Sequence, residues 1–266
     1  MKPNFVKIIA YISVLATILW SIGLFLTVND QLFTASTSIP SPSEPTPVAS
    51  ETEDIHIVAI GDSLTRGTGD TSGSGYVSYM LEELSTKSEQ QLHLSNLAIK
   101  GYTSQQLLGQ LEQTEVQRQL QQADIILMTI GGNDLFQGGE SILNFSDSDV
   151  DASQDDYRKN LQNIYTTLHN LNEEATLFHI GLYNPFSALD DSALTSSVVR
   201  QWNFETAELA SSTQNIVVVP TFDLFQLDVK NYLYSDQFHP NSAGYRLIGE
   251  RVASLITFSE GETEDE

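Results

Sequence analysis

Five short runs of branched apolar residues recur along the chain, each parted from the next by a helical or polar stretch, and this alternation restricts the fold more than any other feature. The runs are Ile55 to Ile60, Leu92 to Ala98, Ile125 to Ile130, Thr176 to Leu182 and Ile216 to Pro220. Short apolar runs bounded by Gly and polar residues suit strands buried on both faces. Amphipathic stretches lie between them and are predicted helices: Tyr76 to Leu84, Ser104 to Leu120, Tyr157 to Leu171 and Leu194 to Ser211. Strand and helix in strict alternation imply a parallel sheet joined by right-handed crossovers. The predicted fold class is therefore α/β, a three-layer α/β/α sandwich on a mostly parallel five-stranded sheet. A final helix, Ser242 to Leu255, follows Pro240 with Asn241 or Ser242 as its cap. Residues 55–259 amount to about 205 positions, enough for one domain with a sizeable core and too few for two.

In open α/β sheets the sites lie at the carboxyl ends of the strands. The first run ends in Gly61-Asp62-Ser63-Leu64, and the second is followed by Lys100-Gly101-Tyr102. After the third comes Gly131-Gly132-Asn133-Asp134, and Asp236-Gln237-Phe238-His239-Pro240 precedes the last helix. Each fragment alone reads as a turn or a helix cap. Together they place a hydroxyl, a glycine, an amide and an Asp/His pair on one sheet edge. Acyl transfer needs those parts: a nucleophile, a base, a carboxylate to orient the base, and donors for the oxyanion.

The four fragments resemble the motif blocks of the GDSL or SGNH hydrolase family of esterases and lipases, in the family's order and across the whole domain. Gly61-Asp62-Ser63-Leu64 matches the first block and Asn96 to Gly101 the second. Gly131-Gly132-Asn133-Asp134 matches the third, and Asp236 to Pro240 the last. The resemblance implies the flavodoxin-like fold of that family. It further implies Ser63 as nucleophile, His239 as general base and Asp236 as the group orienting His239. The implied oxyanion hole consists of the backbone N–H of Ser63, the backbone N–H of Gly101 and the side-chain amide of Asn133. No cofactor and no metal is implied, and the chain carries no evident ligand cluster for one.

The remaining candidates read as structural. Asp134 is expected to cap a helix and Asp62 to tie its turn to nearby backbone amides. His56, His93 and His179 fall in strand runs and His169 on a helix, so His239 alone has an Asp at the required spacing. Thr65 stands where a Gly-x-Ser-x-Gly elbow needs its last glycine, and Gly61 to Thr68 lacks the lysine of a phosphate loop. Asp147-Ser148-Asp149-Val150-Asp151 opens like a calcium loop. Ala152 and Arg158 then replace the turn glycine and the bidentate glutamate, which excludes that site. Residues 137–156 are instead expected to form an acidic mobile flap bordering the substrate near Asn133.

Outside the domain, residues 8–28 carry no charge and follow Lys2 and Lys7. Twenty-one residues suffice to cross the bilayer as a helix. With the basic residues on its amino side, the segment is expected to be an uncleaved signal anchor that leaves the domain outside the cytoplasm. A cleaved signal peptide near Thr34-Ala35-Ser36 is the alternative. Residues 34–54, with Pro40, Pro42, Pro45 and Pro47, read as an extended linker, and 260–266 as an acidic tail. A net charge of −23 disfavours nucleic acid as a partner. The absence of cysteine excludes disulfides, thiol catalysis and a lipoprotein anchor.

The expected activity is hydrolysis of carboxylic esters, of lipase or lysophospholipase type, on a small-molecule, lipid or glycan ester. Tyr76, Tyr102, Leu135, Phe136, Tyr183, Phe186 and Phe238 fall near the active edge and favour an apolar pocket. A cell-wall polysaccharide O-acetyl esterase is the alternative within the same chemistry. From another class, a non-catalytic surface module binding lipid or glycan is the rival. Oligomeric state is not legible in the sequence.

Overall fold

The computed structural model describes residues 54–136, 147–189 and 192–258, together with Thr17 and Trp20. The chain divides into two units, Met1–Glu51 and Thr52–Glu266. In the first, only Thr17 and Trp20 are described, and both are helical. The anchor expected over 8–28, apart from those two positions, lies outside the described residues, as do the linker up to residue 53 and the tail 260–266. Among the described residues no helix is long and apolar enough to cross a membrane.

The second unit is built on β1 (Ile55–Gly61), β2 (Leu92–Asn96), β3 (Ile125–Thr129), β4 (Thr176–Ile180) and β5 (Ile216–Val219). They form one parallel sheet in the order β2-β1-β3-β4-β5. Register sets Ile57 beside Ile125 and Gly61 beside Thr129, so the loops after β1 and β3 leave the sheet side by side. The central strands β1 and β3 are buried along almost their whole length, while the edge strand β2 is half-exposed.

Side chains alternate between the two faces of each strand, and both faces are covered. Val58, Ile60, Ile126 and Met128 pack under α3 (Ser104–Gln110), α4 (Thr114–Leu120), α6 (Asp147–Leu171) and α7 (Ser192–Ser211). Their partners there include Leu107, Leu161, Tyr165 and Trp202. Ile57, Ala59, Leu127 and Ile180 pack on the other side against α2 (Gly75–Ser85), α8 (Phe222–Gln226), α9 (Val229–Tyr232) and α10 (Ser242–Leu255), through Tyr76, Met80, Phe225, Tyr245 and Ile248. Two short helices, α1 (Ser63–Arg66) and α5 (Gly132–Phe136), open directly after β1 and β3. The expected three layers and five parallel strands are present.

Three local expectations need correction. First, β2 stops at Asn96 rather than Ala98, because the Asn96 side chain accepts the Ala98 N–H at 3.1 Å and turns the chain. Secondly, the stretch Ser104 to Leu120 is two helices, not one. Leu111 and Val116 are both buried, yet they lie five residues apart and would point about 140° from each other on one continuous helix. The break between α3 and α4 brings both to the core. Thirdly, the expected flap 137–156 is not a loop throughout: 147–156 form the opening turns of α6, and 137–146 lie outside the described residues.

Candidate active site

Ser63 is the first residue of α1, set there by the turn that ends β1. Asp62 caps this helix, its carboxylate accepting from the Leu64 N–H at 3.0 Å. A buried network pins the turn from below. Thr129 donates its hydroxyl to Asp62 Oδ1 at 2.7 Å and accepts the Thr65 N–H at 3.2 Å. The Thr65 hydroxyl lies 2.8 Å from that of Thr129 and 2.9 Å from that of Tyr76. Desolvation lifts the Asp62 carboxyl to about 6, against the lowering effect of its bonds to Thr129 and Leu64.

The turn between α9 and α10 carries the Asp/His pair. Asp236 Oδ1 accepts the backbone N–H groups of Phe238 and His239, both at 3.0 Å, and its Oδ2 lies 2.8 Å from His239 Nδ1. Three hydrogen bonds thus centre on one carboxylate within four residues, helped by a left-handed conformation at Gln237 (φ 56°). Tyr183 donates its hydroxyl to the Phe238 carbonyl at 2.5 Å and braces the turn from β4's end. Desolvation by itself raises the Asp236 pKa, but the bonds from His239 and the two amides outweigh it and hold the carboxyl below its usual range. An ionised Asp236 can accept from an Nδ1–H, the tautomer in which Nε2 offers a lone pair. His239 Nε2 lies 2.8 Å from Ser63 Oγ.

The two remaining site residues follow the strands flanking β1. Gly101 adopts φ +83°, and a Cβ there would meet no atom within 4 Å. Positive φ accounts for the glycine, rather than crowding at the Cβ position. Asn133, in α5, donates from Nδ2 to the Tyr102 carbonyl at 2.9 Å, which ties the amide to the Gly101 turn. An amide nitrogen has a second hydrogen, so this bond does not exhaust it as a donor. Asp134 is a cap, though of the neighbouring helix α3: it accepts the Ser104 N–H at 2.9 Å and the Ser104 hydroxyl at 2.5 Å. Asn160 of α6 in turn donates to Ser104 Oγ at 3.0 Å, so three helices lock the position of Asn133.

The fold therefore brings Ser63, His239 and Asp236 into one hydrogen-bonded line and ties Asn133 to the Gly101–Tyr102 turn. The other histidines stand apart from it. His56 and His93 stack 5.3 Å apart at the amino ends of β1 and β2, each beside a carboxylate. His179 is buried with the Tyr165 hydroxyl 2.6 Å from Nδ1, and desolvation lowers its pKa to about 4. Tyr76, expected near a pocket, is instead fully buried beneath α10 with its hydroxyl on Thr65. Phe136, Phe186 and Phe238 do cluster, with ring centroids 5.2 to 6.0 Å apart, and the edge of this cluster meets the His239 ring. Thr65, Tyr76 and Thr129 are site-supporting residues that no local sequence pattern marks. Among the described residues no group of His, Asp and Glu is arranged to hold a metal ion.

A sequence profile of the GDSL-like Lipase/Acylhydrolase family matches residues 59–247, a span that contains all five site residues. A protein of Bacillus subtilis (strain 168), YpmR, itself uncharacterized, is 35% identical over 233 residues, covering 85% of this chain and 91% of its own. The spore germination lipase LipC of Bacillus licheniformis is 27% identical over 204 residues, 74% of this chain and 94% of that protein. Among solved structures, the lipase Lip_vut3 from a goat rumen metagenome is similar with a TM-score of 0.69 at 25% identity, covering 75% of this chain and 96% of its own.

Proposed function

The chain belongs to the GDSL-like lipase/acylhydrolase family and is a carboxylic ester hydrolase; from that premise we propose that it is a serine hydrolase of lipase or lysophospholipase type. The observation that carries the proposal is the unbroken line from Asp236 Oδ2 through the His239 ring to Ser63 Oγ, each bond 2.8 Å. In this reading Ser63 Oγ attacks the acyl carbon while Nε2 takes its proton. Asp236 stays ionised and stabilises the imidazolium. The carbonyl oxygen, now an anion, is received by the N–H groups of Ser63 and Gly101 and by the Asn133 amide. His239 then gives its proton to the leaving alcohol, and water repeats the sequence on the acyl-enzyme. The phenylalanine cluster against His239 supports an apolar substrate, and the spore germination lipase among the relatives is named for that class of activity.

The full-length chain would be assayed on p-nitrophenyl esters from acetate to palmitate. The proposal expects rates to rise from acetate toward longer chains; turnover of acetate alone would contradict it and leave an acetyl esterase. The proposal also holds that residues 8–28 anchor the chain with its domain outside the cytoplasmic membrane, supported by the uncharged segment after Lys7. Fractionation should then recover the protein with membranes and open to added protease on intact cells stripped of their wall. Recovery as a protease-shielded cytosolic protein would contradict the anchor.

A further inference from the structure

A cavity of about 470 Å³ lies between the loop after β4 and the segment running from α9 into the His239 turn. Its apolar wall includes Pro185, Phe186, Leu189, Val229 and Leu233, and Asp236 also lines it. The volume falls in the range of sites that enclose a small molecule and is far larger than an acetyl group needs. Leu189 and Tyr234, both on the lining, are about half exposed, at 50% and 47%, so the cavity has an open apolar mouth.

Its place relative to the triad decides what it can hold. Gly101 and Asn133 follow β2 and β3, the strands on either side of β1, whereas the cavity is built from the loop after β4 and from α9 with the turn beyond it. In the serine esterase reading the carbonyl oxygen of a bound ester would face the Gly101 and Asn133 donors. The leaving oxygen must instead lie against His239 Nε2, which protonates it. A group carried by that oxygen past the His239 ring would reach the turn whose Asp236 lines the cavity.

We propose that this cavity is the leaving-group subsite, and that the natural substrates are esters of a bulky amphipathic alcohol. The alcohol's apolar body would lie against Phe186, Leu189 and Leu233, and its polar substituents against Lys230, Tyr234 and Gln237. This rests on the serine esterase reading. In acylation the Ser63 Oγ–acyl carbon bond forms, the acyl carbon–alkoxy bond breaks, and the Ser63 proton passes through Nε2 to the departing alcohol. The alcohol has gone before deacylation, so the cavity acts on the first half-reaction alone.

The test fills the cavity in the full-length chain from its exposed loop, with Ala188→Trp and, separately, Leu189→Trp. The value of kcat/KM for 2-naphthyl butyrate is expected to fall about tenfold or more relative to that for methyl butyrate. The ratios among p-nitrophenyl acetate, butyrate and octanoate should keep their parental values, as should the deacylation rate of the butyryl-enzyme. A shift of those acyl ratios toward short chains would overturn the proposal and make the cavity an acyl pocket. No change in either series, in both variants, would also overturn it. Absence of Ser63-dependent hydrolysis in the unsubstituted chain would instead overturn the esterase reading, and that is measured first.

Discussion

Asn133 holds the Tyr102 carbonyl with one amide hydrogen, and the role proposed for it requires the other in the transition state. Asn133→Ala should therefore lower kcat by about 100- to 1,000-fold with little change in KM, as steady-state kinetics would show. Asp62 makes a different prediction, because burial lifts its folded-state pKa from 3.8 to about 6. A raised carboxyl pKa contributes stability that is fully present below about pH 4 and is lost as pH rises through about 6. The amide introduced by Asp62→Asn would have no charge to bury, while its oxygen could still accept from Leu64 and Thr129. This variant is thus expected to be more stable than the parent above pH 6, by up to about 3 kcal/mol, and to match it near pH 4. Urea midpoints at the two pH values check this; an offset independent of pH would contradict it. Ser63, Gly101, Asn133, Asp236 and His239 were legible as candidates because the first three stand in short motifs just past strand ends and the last two in one just before the final helix. The Thr65, Tyr76 and Thr129 hydroxyls were not, since they meet across 11 and 64 positions and only the folded sheet aligns them.

At the scale of elements, α10 packs closely on α2. A Cβ on Gly249 would stand 2.7 Å from the Tyr76 carbonyl oxygen and 2.9 Å from the Met80 nitrogen, both backbone atoms that cannot swing aside. Gly249→Ala should destabilise the domain by about 1–3 kcal/mol, read as a lower urea midpoint. The inner strands were legible because both faces of the sheet are covered there, which makes them nearly continuous apolar runs, and the half-exposed edge strand β2 because its leucines alternate with polar residues. Their carboxyl ends were overestimated where apolar residues continue past the strand, as at Leu97 and Leu182. The break after Gln110 was hidden for a related reason: the stretch around it is amphipathic throughout, and only the phase of Leu111 against Val116 betrays it. Acidic composition likewise concealed the helical turns of 147–156, since charge marks solvent rather than loop.

Over the whole molecule, 35 acidic against 12 basic residues leave a large excess of one sign. Such self-repulsion opposes the compact state and is screened by salt. The melting temperature should rise between about 20 mM and about 500 mM sodium chloride, where the Debye length shrinks several-fold; a flat or falling trend would show that the charges are already paired or dispersed. The same excess gives Lys230, on the lining of the leaving-group cavity, more weight than a lysine would have on a balanced surface.

Every step of the proposed reaction depends on Ser63 as the nucleophile that His239 activates. Its most direct test is labelling of the full-length chain with a fluorophosphonate, followed by peptide mass spectrometry and an ester hydrolysis assay of the same samples. The expected result is one adduct, on the peptide containing Ser63, with hydrolysis lost in proportion to labelling and both label and hydrolysis absent in Ser63→Ala. An adduct on another residue, or a Ser63→Ala variant that hydrolyses esters within tenfold of the parent rate, would contradict it.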